Sequence, residues 1–89
     1  MARLLVFTPN AWADYTDWQT QDKKTLIRIN VLIEATAREP FDGLGKPEAL
    51  HGELSGYWSK RIDDVNRLIY QVTDDKLNIF ACRYHCNDK

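Results

Sequence analysis

Two stretches, LSGYWSKRI at residues 54–62 and NRLIYQV at residues 66–72, decide the fold of this chain. Aromatic and β-branched residues, which favour strands, recur in both. The acidic tripeptide between them, residues 63–65, is typical of a short turn. The pattern therefore predicts an antiparallel hairpin. A third stretch, LNIFACRYH at residues 77–85, follows a second acidic turn at residues 73–75 and extends the hairpin to a three-stranded meander.

The alternation of side chains along these strands predicts two different sheet faces, because successive residues of a strand point to opposite sides. One face is expected to be apolar and covered, with Trp58 in the core. On the third strand, alternation places Phe80, Cys82 and Tyr84 opposite Ile79, Ala81, Arg83 and His85. The other face is then expected to carry Arg61, Arg67, Arg83 and His85. Cations gathered beside a histidine indicate an anion-binding site.

The first half of the chain predicts a strand followed by two helices. The continuously apolar residues 4–7 indicate a buried strand. Thr8 followed by a proline is typical of a helix start, so a helix is expected from residue 9 to about residue 21. Asp22 is the expected N-cap of a second helix that ends at about Arg38, shortly before a proline. The apolar side chains at helical spacing are Ala11, Trp12, Tyr15 and Trp18, then Leu26, Ile29, Leu32, Ile33 and Ala37.

Two further apolar residues, Ile27 and Val31, make the second helix more apolar than one sheet would cover. They are therefore expected to pack on the first helix or on a partner. Residues 41–47 contain two glycines and a proline and indicate a loop, and residues 48–53 a short irregular segment. The order of elements predicts the fold class α+β, with an N-terminal strand and two helices packed on one face of a mainly antiparallel sheet.

Length, charge and cysteine content narrow the functional classes. The 89 residues suit one domain, residues 1–89. With 12 Lys and Arg against 13 Asp and Glu the net charge is −1, so any nucleic-acid binding must come from a local patch. No apolar run resembles a signal peptide or a membrane span. Cys82 and Cys86 would lie ~13 Å apart on a strand, too far for a disulfide, so reduced thiols in a cytoplasmic protein are expected.

Five residues separated in the sequence could converge on the cationic face: Glu48, His51, Arg61, Arg67 and His85. A carboxylate, an imidazole and guanidinium groups are what phosphoryl transfer without a metal requires. Taken singly, a histidine at a strand end and arginines on an open sheet are more often simply solvated. Tyr57 and Trp58 could also offer a stacking platform for a base, although the core is the favoured place for Trp58.

Two other constellations would use a metal ion. Cys82, His85, Cys86 and His51 are four possible zinc ligands. Strand alternation puts Cys82 and His85 on opposite faces, however, so they would not surround one tetrahedral zinc ion. The Asp63-Asp64 and Asp74-Asp75 pairs coincide with predicted turns, which account for them without a metal. Neither alternative is favoured, so no metal and no cofactor are expected.

Several motifs closely resemble the YoeB (Txe/YoeB) toxins of bacterial toxin–antitoxin systems, which belong to the RelE/ParE superfamily. The motifs are GKPEAL at 45–50, LSGYWSKRI at 54–62, NRLIY at 66–70, VTDD at 72–75 and ACRYH at 81–85. The likeness covers nearly the whole chain, including the helix with Trp12, Asp14, Tyr15 and Trp18. It implies a RelE-like fold.

The resemblance also implies an activity, ribosome-dependent cleavage of messenger RNA in the A site. Matched motif by motif, Glu48 corresponds to the general base, His85 to the general acid, Arg67 to the phosphate-stabilising arginine and Arg61 to a supporting cation. The further candidate substrate-binding residues are Lys46, His51, Arg83 and Cys86. The implied partners are a YefM/Phd-type antitoxin, the ribosome with its messenger RNA, and a second copy of the chain in a homodimer.

Two positions depart from the family's pattern. His51 stands where the family usually has a lysine, so that cation would be only partly charged at neutral pH. Cys86 stands where the family typically ends in an aromatic residue, and residues 87–89 follow it. Both departures bear on rate and selectivity. Two other functions stay open: a non-catalytic ParE-like toxin that binds gyrase, which generally lacks the Glu48 and His85 pair, and a degenerate toxin that only binds its antitoxin.

Overall fold

The computed structural model describes residues 3–85, the last two of them as backbone only. Two helices, α1 (Pro9–Gln21) and α2 (Lys23–Arg38), lie on one face of a five-stranded sheet. The strands are β1 (Leu4–Phe7), β2 (Glu48–Ala49), β3 (Trp58–Arg61), β4 (Asn66–Val72) and β5 (Lys76–His85). Their order is β1-β5-β4-β3-β2, with β1 parallel to β5 and the other pairs antiparallel. The predicted α+β class and meander are confirmed.

Both helices begin where their capping residues predict. The Thr8 hydroxyl accepts a hydrogen bond from the Ala11 amide at 3.0 Å, and a proline occupies the first position of α1. Asp22 caps α2 by accepting from the amides of Lys24 and Thr25. Neither helix within residues 3–85 is long and apolar enough to cross a membrane.

The core lies between the helices and the sheet. Its buried members are Ala11, Trp18, Ile29, Leu32, Ile33, Ala37, Ile62, Leu68, Tyr70, Leu77, Ile79 and Cys82. Trp58 packs against this cluster, as predicted. Burial raises the pKa of the Cys82 thiol to about 12, so this cysteine is held as an unreactive thiol.

Ile27 and Val31 do not pack on α1. Their exposed fractions are 61% and 47%, so the expectation that they pack on the first helix is wrong. Trp12, predicted to lie on the covered side of α1, is also 53% exposed. These side chains form an apolar surface on the helices that the rest of residues 3–85 leaves exposed.

The predicted alternation along β5 is wrong at Ile79, which was assigned to the face of Arg83 and His85, but correct at Cys82. Ile79 and Cys82 both join the core, although an odd spacing should put them on opposite faces. The register explains this, because Tyr70 pairs with Ile79, Ile69 with Ala81 and Arg67 with Tyr84. The four residues 67–70 of β4 therefore lie opposite six residues of β5, 79–84. Each such irregularity changes the face of the side chains up to the next one, and a simple period of two cannot show it.

β1 forms where the apolar run predicts a strand, but the expectation that it is buried is wrong. Leu4, Leu5 and Val6 are 65%, 50% and 40% exposed. β1 lies at the edge of the sheet and pairs with β5 only, so no described strand covers its outer side. An apolar run shows that a segment is suited to a sheet but not whether its place is central or at the edge.

Beyond β1, the edge of β5 is closed by side chains of the α1 segment. The Thr8 hydroxyl donates to the Phe80 carbonyl, and the Trp18 indole N–H to the Cys82 carbonyl, both at 3.0 Å. The Asp14 carboxylate accepts from the Cys82 amide at 3.0 Å. These bonds occupy backbone groups that β1 is too short to reach, and they fix the last part of β5 against α1.

Candidate functional site

The sheet register brings three of the predicted site residues to one face. Glu48 pairs with Ser59 across β2 and β3, and Arg61 pairs with Arg67 across β3 and β4. Residues paired in this way share a face, as do residues two apart on one strand. Lys60, between Ser59 and Arg61, lies on the helix side. Glu48, Arg61 and Arg67 therefore lie together on the face turned away from the helices, called the open face below.

Arg67 is held in place by the turn that precedes it. Its Nη1 donates to the Asp63 carbonyl at 2.7 Å and to the Asn66 carbonyl at 3.2 Å. The Asp63 carboxylate in turn accepts from the amides of Val65 and Asn66. Burial alone would raise the pKa of Asp63, but the hydrogen bonds from Asn66 and Val65 and the charge of Arg67 outweigh it and lower the pKa. The acidic turn is thus a support for the Arg67 guanidinium.

Arg61 is exposed, and its backbone is tied on both sides. Its amide donates to the Gly45 carbonyl at 2.7 Å, and its carbonyl accepts from Arg28 Nη2 at 3.1 Å. Among the side chains that the structure describes, neither Arg61 nor Arg67 forms a salt bridge. Two guanidinium groups on paired residues without a carboxylate partner suit an external anion such as a phosphate.

The segment with Lys46, Glu48 and His51 is exposed along the edge of β3. Lys46 has a φ of 51°, an uncommon left-handed conformation for a residue with a side chain. Glu48 and Ala49 then form β2, a two-residue strand where only a short irregular segment was expected. A short turn of 3-10 helix, Gly52–Leu54, occupies the start of the predicted hairpin strand, so β3 begins later than predicted.

Arg83 does not join Arg61 and Arg67, and its predicted place on their face is wrong. Its guanidinium stacks over the Trp18 ring at 4.4 Å, and its Nη2 donates to the Gln21 side chain at 2.8 Å. Both contacts are with α1. The second irregularity of the register is the reason, because it falls between Ala81 and Tyr84 and changes the side on which Arg83 leaves the strand.

The two remaining predicted residues are only partly within the described chain. His85 ends β5, with its Cα paired to that of Asn66, the neighbour of Arg67. The backbone at His85 therefore lies beside the Arg67 end of β4. Cys86 lies outside the described residues. Among the described side chains, no group of three or more His, Cys, Asp or Glu is placed to hold a metal ion.

An aromatic pair lies on the open face, where strand alternation predicted Tyr57 but not Phe80. The rings of Tyr57 and Phe80 meet at a centroid distance of 5.4 Å. Ser59, Ile69 and Ala81, which the register places on the same face, are all at most 5% exposed. Phe80 was assigned to the apolar face because the bulge was not visible in the sequence. The open face thus carries a pair of aromatic rings in addition to its cations.

Two helices packed on one face of a five-stranded mixed sheet place this chain in the RelE/ParE class of small toxins. The family model described as YoeB-like toxin of bacterial type II toxin–antitoxin systems matches residues 7–86. Toxin YoeB of Streptomyces coelicolor is 56% identical over 81 residues, which cover 91% of this chain and 96% of the relative. The chain belongs to the YoeB-like toxin family, and the resemblance seen in the sequence is confirmed.

Solved structures agree with this assignment. A YoeB dimer from Staphylococcus aureus superposes with a TM-score of 0.88 at 40% identity, covering 96% of this chain and 99% of that one. The heterotetrameric YoeB–YefM toxin–antitoxin complex from the same organism gives a TM-score of 0.85 at 43% identity, with 94% and 99% covered. The protein is therefore a toxin of the kind found in toxin–antitoxin systems.

Proposed function

We propose that this toxin is an endoribonuclease that cleaves messenger RNA in the ribosomal A site and so inhibits translation. The observation that carries the proposal is the open face. There the pairing of the strands brings Glu48 to the same side of the sheet as two arginines that have no described carboxylate partner. The Arg67 guanidinium is held by the Asp63 carbonyl, and the backbone of Arg61 is held by the Gly45 carbonyl. Preorganised cations are the arrangement that stabilises charge developing on phosphorus.

The proposed reaction is an internal transphosphorylation. Glu48 removes the proton from the 2′-hydroxyl, whose oxygen then attacks the adjacent phosphorus. Arg67, supported by Arg61, stabilises the negative charge on the phosphoryl oxygens. His85 donates a proton to the departing 5′-oxygen. The products are a 2′,3′-cyclic phosphate, or the 3′-phosphate formed when it opens, and a 5′-hydroxyl. The base, the acid and the charge stabilisation all come from side chains, so the proposed mechanism requires no metal ion.

The proposed dependence on the ribosome agrees with how open the site is. Glu48, Lys46 and His51 are exposed, and the net charge of −1 gives little general attraction for free RNA. The ribosome would supply an oriented messenger RNA to a face that cannot enclose one. Lys46 and His51 are the proposed phosphate contacts beside Glu48. The Tyr57 and Phe80 rings offer a surface on which a base can stack.

The proposal includes two protein partners. The Staphylococcus aureus relatives form a dimer in one structure and a complex with YefM in another. We infer that this toxin likewise forms a homodimer and is neutralised by a YefM/Phd-type antitoxin. The apolar residues that the chain leaves exposed on β1, α1 and α2 support assembly with a partner, because single soluble chains rarely leave such surfaces uncovered.

The test is cleavage of a defined messenger RNA by purified toxin, with and without programmed ribosomes. Cleavage should require ribosomes and leave 5′-hydroxyl ends. A 2′-deoxy nucleotide at the scissile position should abolish it, because the nucleophile is then missing. Normal cleavage of that substrate, or a 5′-phosphate product, would falsify the mechanism. DNA damage on induction would support the gyrase-binding alternative, and intact antitoxin binding without toxicity would support a degenerate toxin.

A further inference from the structure

Lys60 is a fully buried lysine, with an exposed fraction of 0%. Lysine is almost never fully buried unless its charge has a partner. Here the ammonium forms no described salt bridge. Its Nζ instead donates to the Glu39 carbonyl at 3.2 Å and to the Asp42 carbonyl at 3.1 Å. Burial lowers the pKa of Lys60, and the Glu39 and Asp42 carboxylates partly oppose that effect. The proposed reaction makes no use of this cation.

Both acceptor carbonyls belong to the loop that leads from α2 to β2. Glu39 is the C-terminal cap of α2, where backbone carbonyls lack helical partners and carry a partial negative charge. A cation placed there satisfies the end of the helix. It also fixes the first turn of the loop against β3. The bonds between Lys60 and this loop are thus charge-assisted and internal.

The rest of the loop is attached to β3 and β4 by three further contacts. The Tyr70 hydroxyl donates to the Pro40 carbonyl. The Phe41 ring lies 4.7 Å from the Trp58 ring, and the Gly45 carbonyl accepts from the Arg61 amide. Gly45 is only three residues before Glu48. Each contact therefore shortens the free length of chain that carries Glu48 to the edge of β3.

From this arrangement we infer that Lys60 is a positioning residue for the Glu48 side of the site. Lys60 holds the loop on the helix side of β3, while its neighbour Arg61 presents its guanidinium on the open face. The distance between the carboxylate and the arginines is then set from inside the protein. The inference rests on the proposed nuclease function only for its effect on rate, since the attachment of the loop can be measured without a substrate.

The test compares Lys60→Met, which keeps the volume but donates nothing, with Lys60→Arg, which keeps the charge and the donors. Lys60→Gln, with fewer donors, is the second variant if Lys60→Met does not fold. Ile79→Val is the matched control, because it loses core packing without touching the loop. The first readout is hydrogen exchange at the Arg61 amide, with the Cys82 amide as an internal reference. The second is single-turnover cleavage on ribosomes.

Lys60→Met should raise exchange at Arg61 relative to Cys82. It should also lower the cleavage rate by about 10- to 100-fold at unchanged ribosome affinity, since small misplacements of catalytic groups have effects of that size. Lys60→Arg should restore both quantities, and Ile79→Val should change neither. Unchanged Arg61 exchange in Lys60→Met and Lys60→Gln, or equal losses in Lys60→Arg and Lys60→Met, would overturn the inference. Wild-type toxin that fails to cleave would overturn the proposed function, while the exchange result would still decide the role of Lys60.

Discussion

Asp63 shows how a single surface carboxylate supports the site, because it orders the turn whose carbonyl holds Arg67. Its pKa is lowered in the folded protein, so it favours folding only while it is ionised. That contribution is complete above the ordinary value of 3.8 and is lost as the pH falls through the lower folded value. We expect Asp63→Ala to destabilise the protein at pH 7 by roughly 1 kcal/mol, a modest value because the residue is exposed.

The measurement is denaturant unfolding of the wild type and Asp63→Ala at pH 7 and at pH 3. The difference between them should shrink at the lower pH, where protonation removes the same interaction from the wild type. Asp64→Ala, at the exposed neighbouring position, is the control and should show a small difference at both values. An Asp63 difference that is equally large at both pH values would mean that ionisation is not the cause.

Arg67, which the Asp63 turn supports, is expected to act in the reaction itself. Arg67→Ala should lower the single-turnover cleavage rate about 10²–10³-fold, because a preorganised donor to the transition state is lost. Glu48→Gln removes the proposed base and should lower it about 10²–10⁴-fold. Ribosome binding should persist in both variants. Arg38→Ala, on the exposed surface of α2, is the matched control and should cleave normally. A normal rate for either site variant would remove that residue from the mechanism.

At the scale of elements, the loop before β2 depends on a glycine. Gly45 has a φ of +91°, and a Cβ at this position would lie 2.8 Å from Leu32 Cδ2 and 3.0 Å from Lys60 Cβ. Gly56 has a similar φ of +94° with nothing within 4 Å of such a Cβ. The two positions therefore separate crowding from backbone strain. Gly45→Ala should cost roughly 1–3 kcal/mol more than Gly56→Ala, the usual range for overpacking.

The readouts are the unfolding free energy and the cleavage rate of the folded variants. Gly45→Ala should also slow cleavage, since the loop must shift away from Arg61 and carry Glu48 with it. Gly56→Ala should leave the rate close to that of the wild type. If the two alanine variants lose equal stability, the backbone conformation alone matters and the close packing of the loop does not.

The elements also show which features the sequence could predict. The helix starts were predictable because Thr8 and Asp22 act on amides two or three residues away. The β3–β4 register was predictable for a similar reason, since a short turn joins the strands. The bulges in β5 depend on residues opposite each other in space, and Arg83 was misplaced as a result. The exposure of β1 and the pairing of β2 are likewise properties of the assembled sheet, which no local pattern contains.

The site residues likewise include some that local sequence patterns predict and some that depend on the assembled sheet. Strand alternation brought Arg61 and Arg67 to one face, and the structure places them there. Glu48 joined them only through a two-residue strand that its composition does not predict. The support behind the site, from Asp63 and Lys60, was not visible at all. A buried lysine is indistinguishable in sequence from an exposed one when it stands among other polar residues.

At the scale of the whole molecule, the protein combines a net charge of −1 with a cationic open face. A partner that neutralises the toxin has most to gain by covering that face with acidic side chains. We expect the antitoxin's C-terminal segment to order on the toxin over Arg61 and Arg67. Part of the affinity is then screened Coulomb attraction, so the dissociation constant should rise with salt.

A charge-matched control can show whether the antitoxin is attracted to the open face or only to the total charge of the toxin. Titrations between 50 mM and 500 mM salt would compare the wild type with an Arg61→Ala, Arg67→Ala double variant. A Lys23→Ala, Lys24→Ala variant is matched in net charge and alters the exposed start of α2 instead. The salt dependence should become shallower in the arginine variant only, because its two lost charges are the ones that the antitoxin contacts. Equal slopes in both variants would place the antitoxin elsewhere, and inhibition would then have to act without covering the arginines.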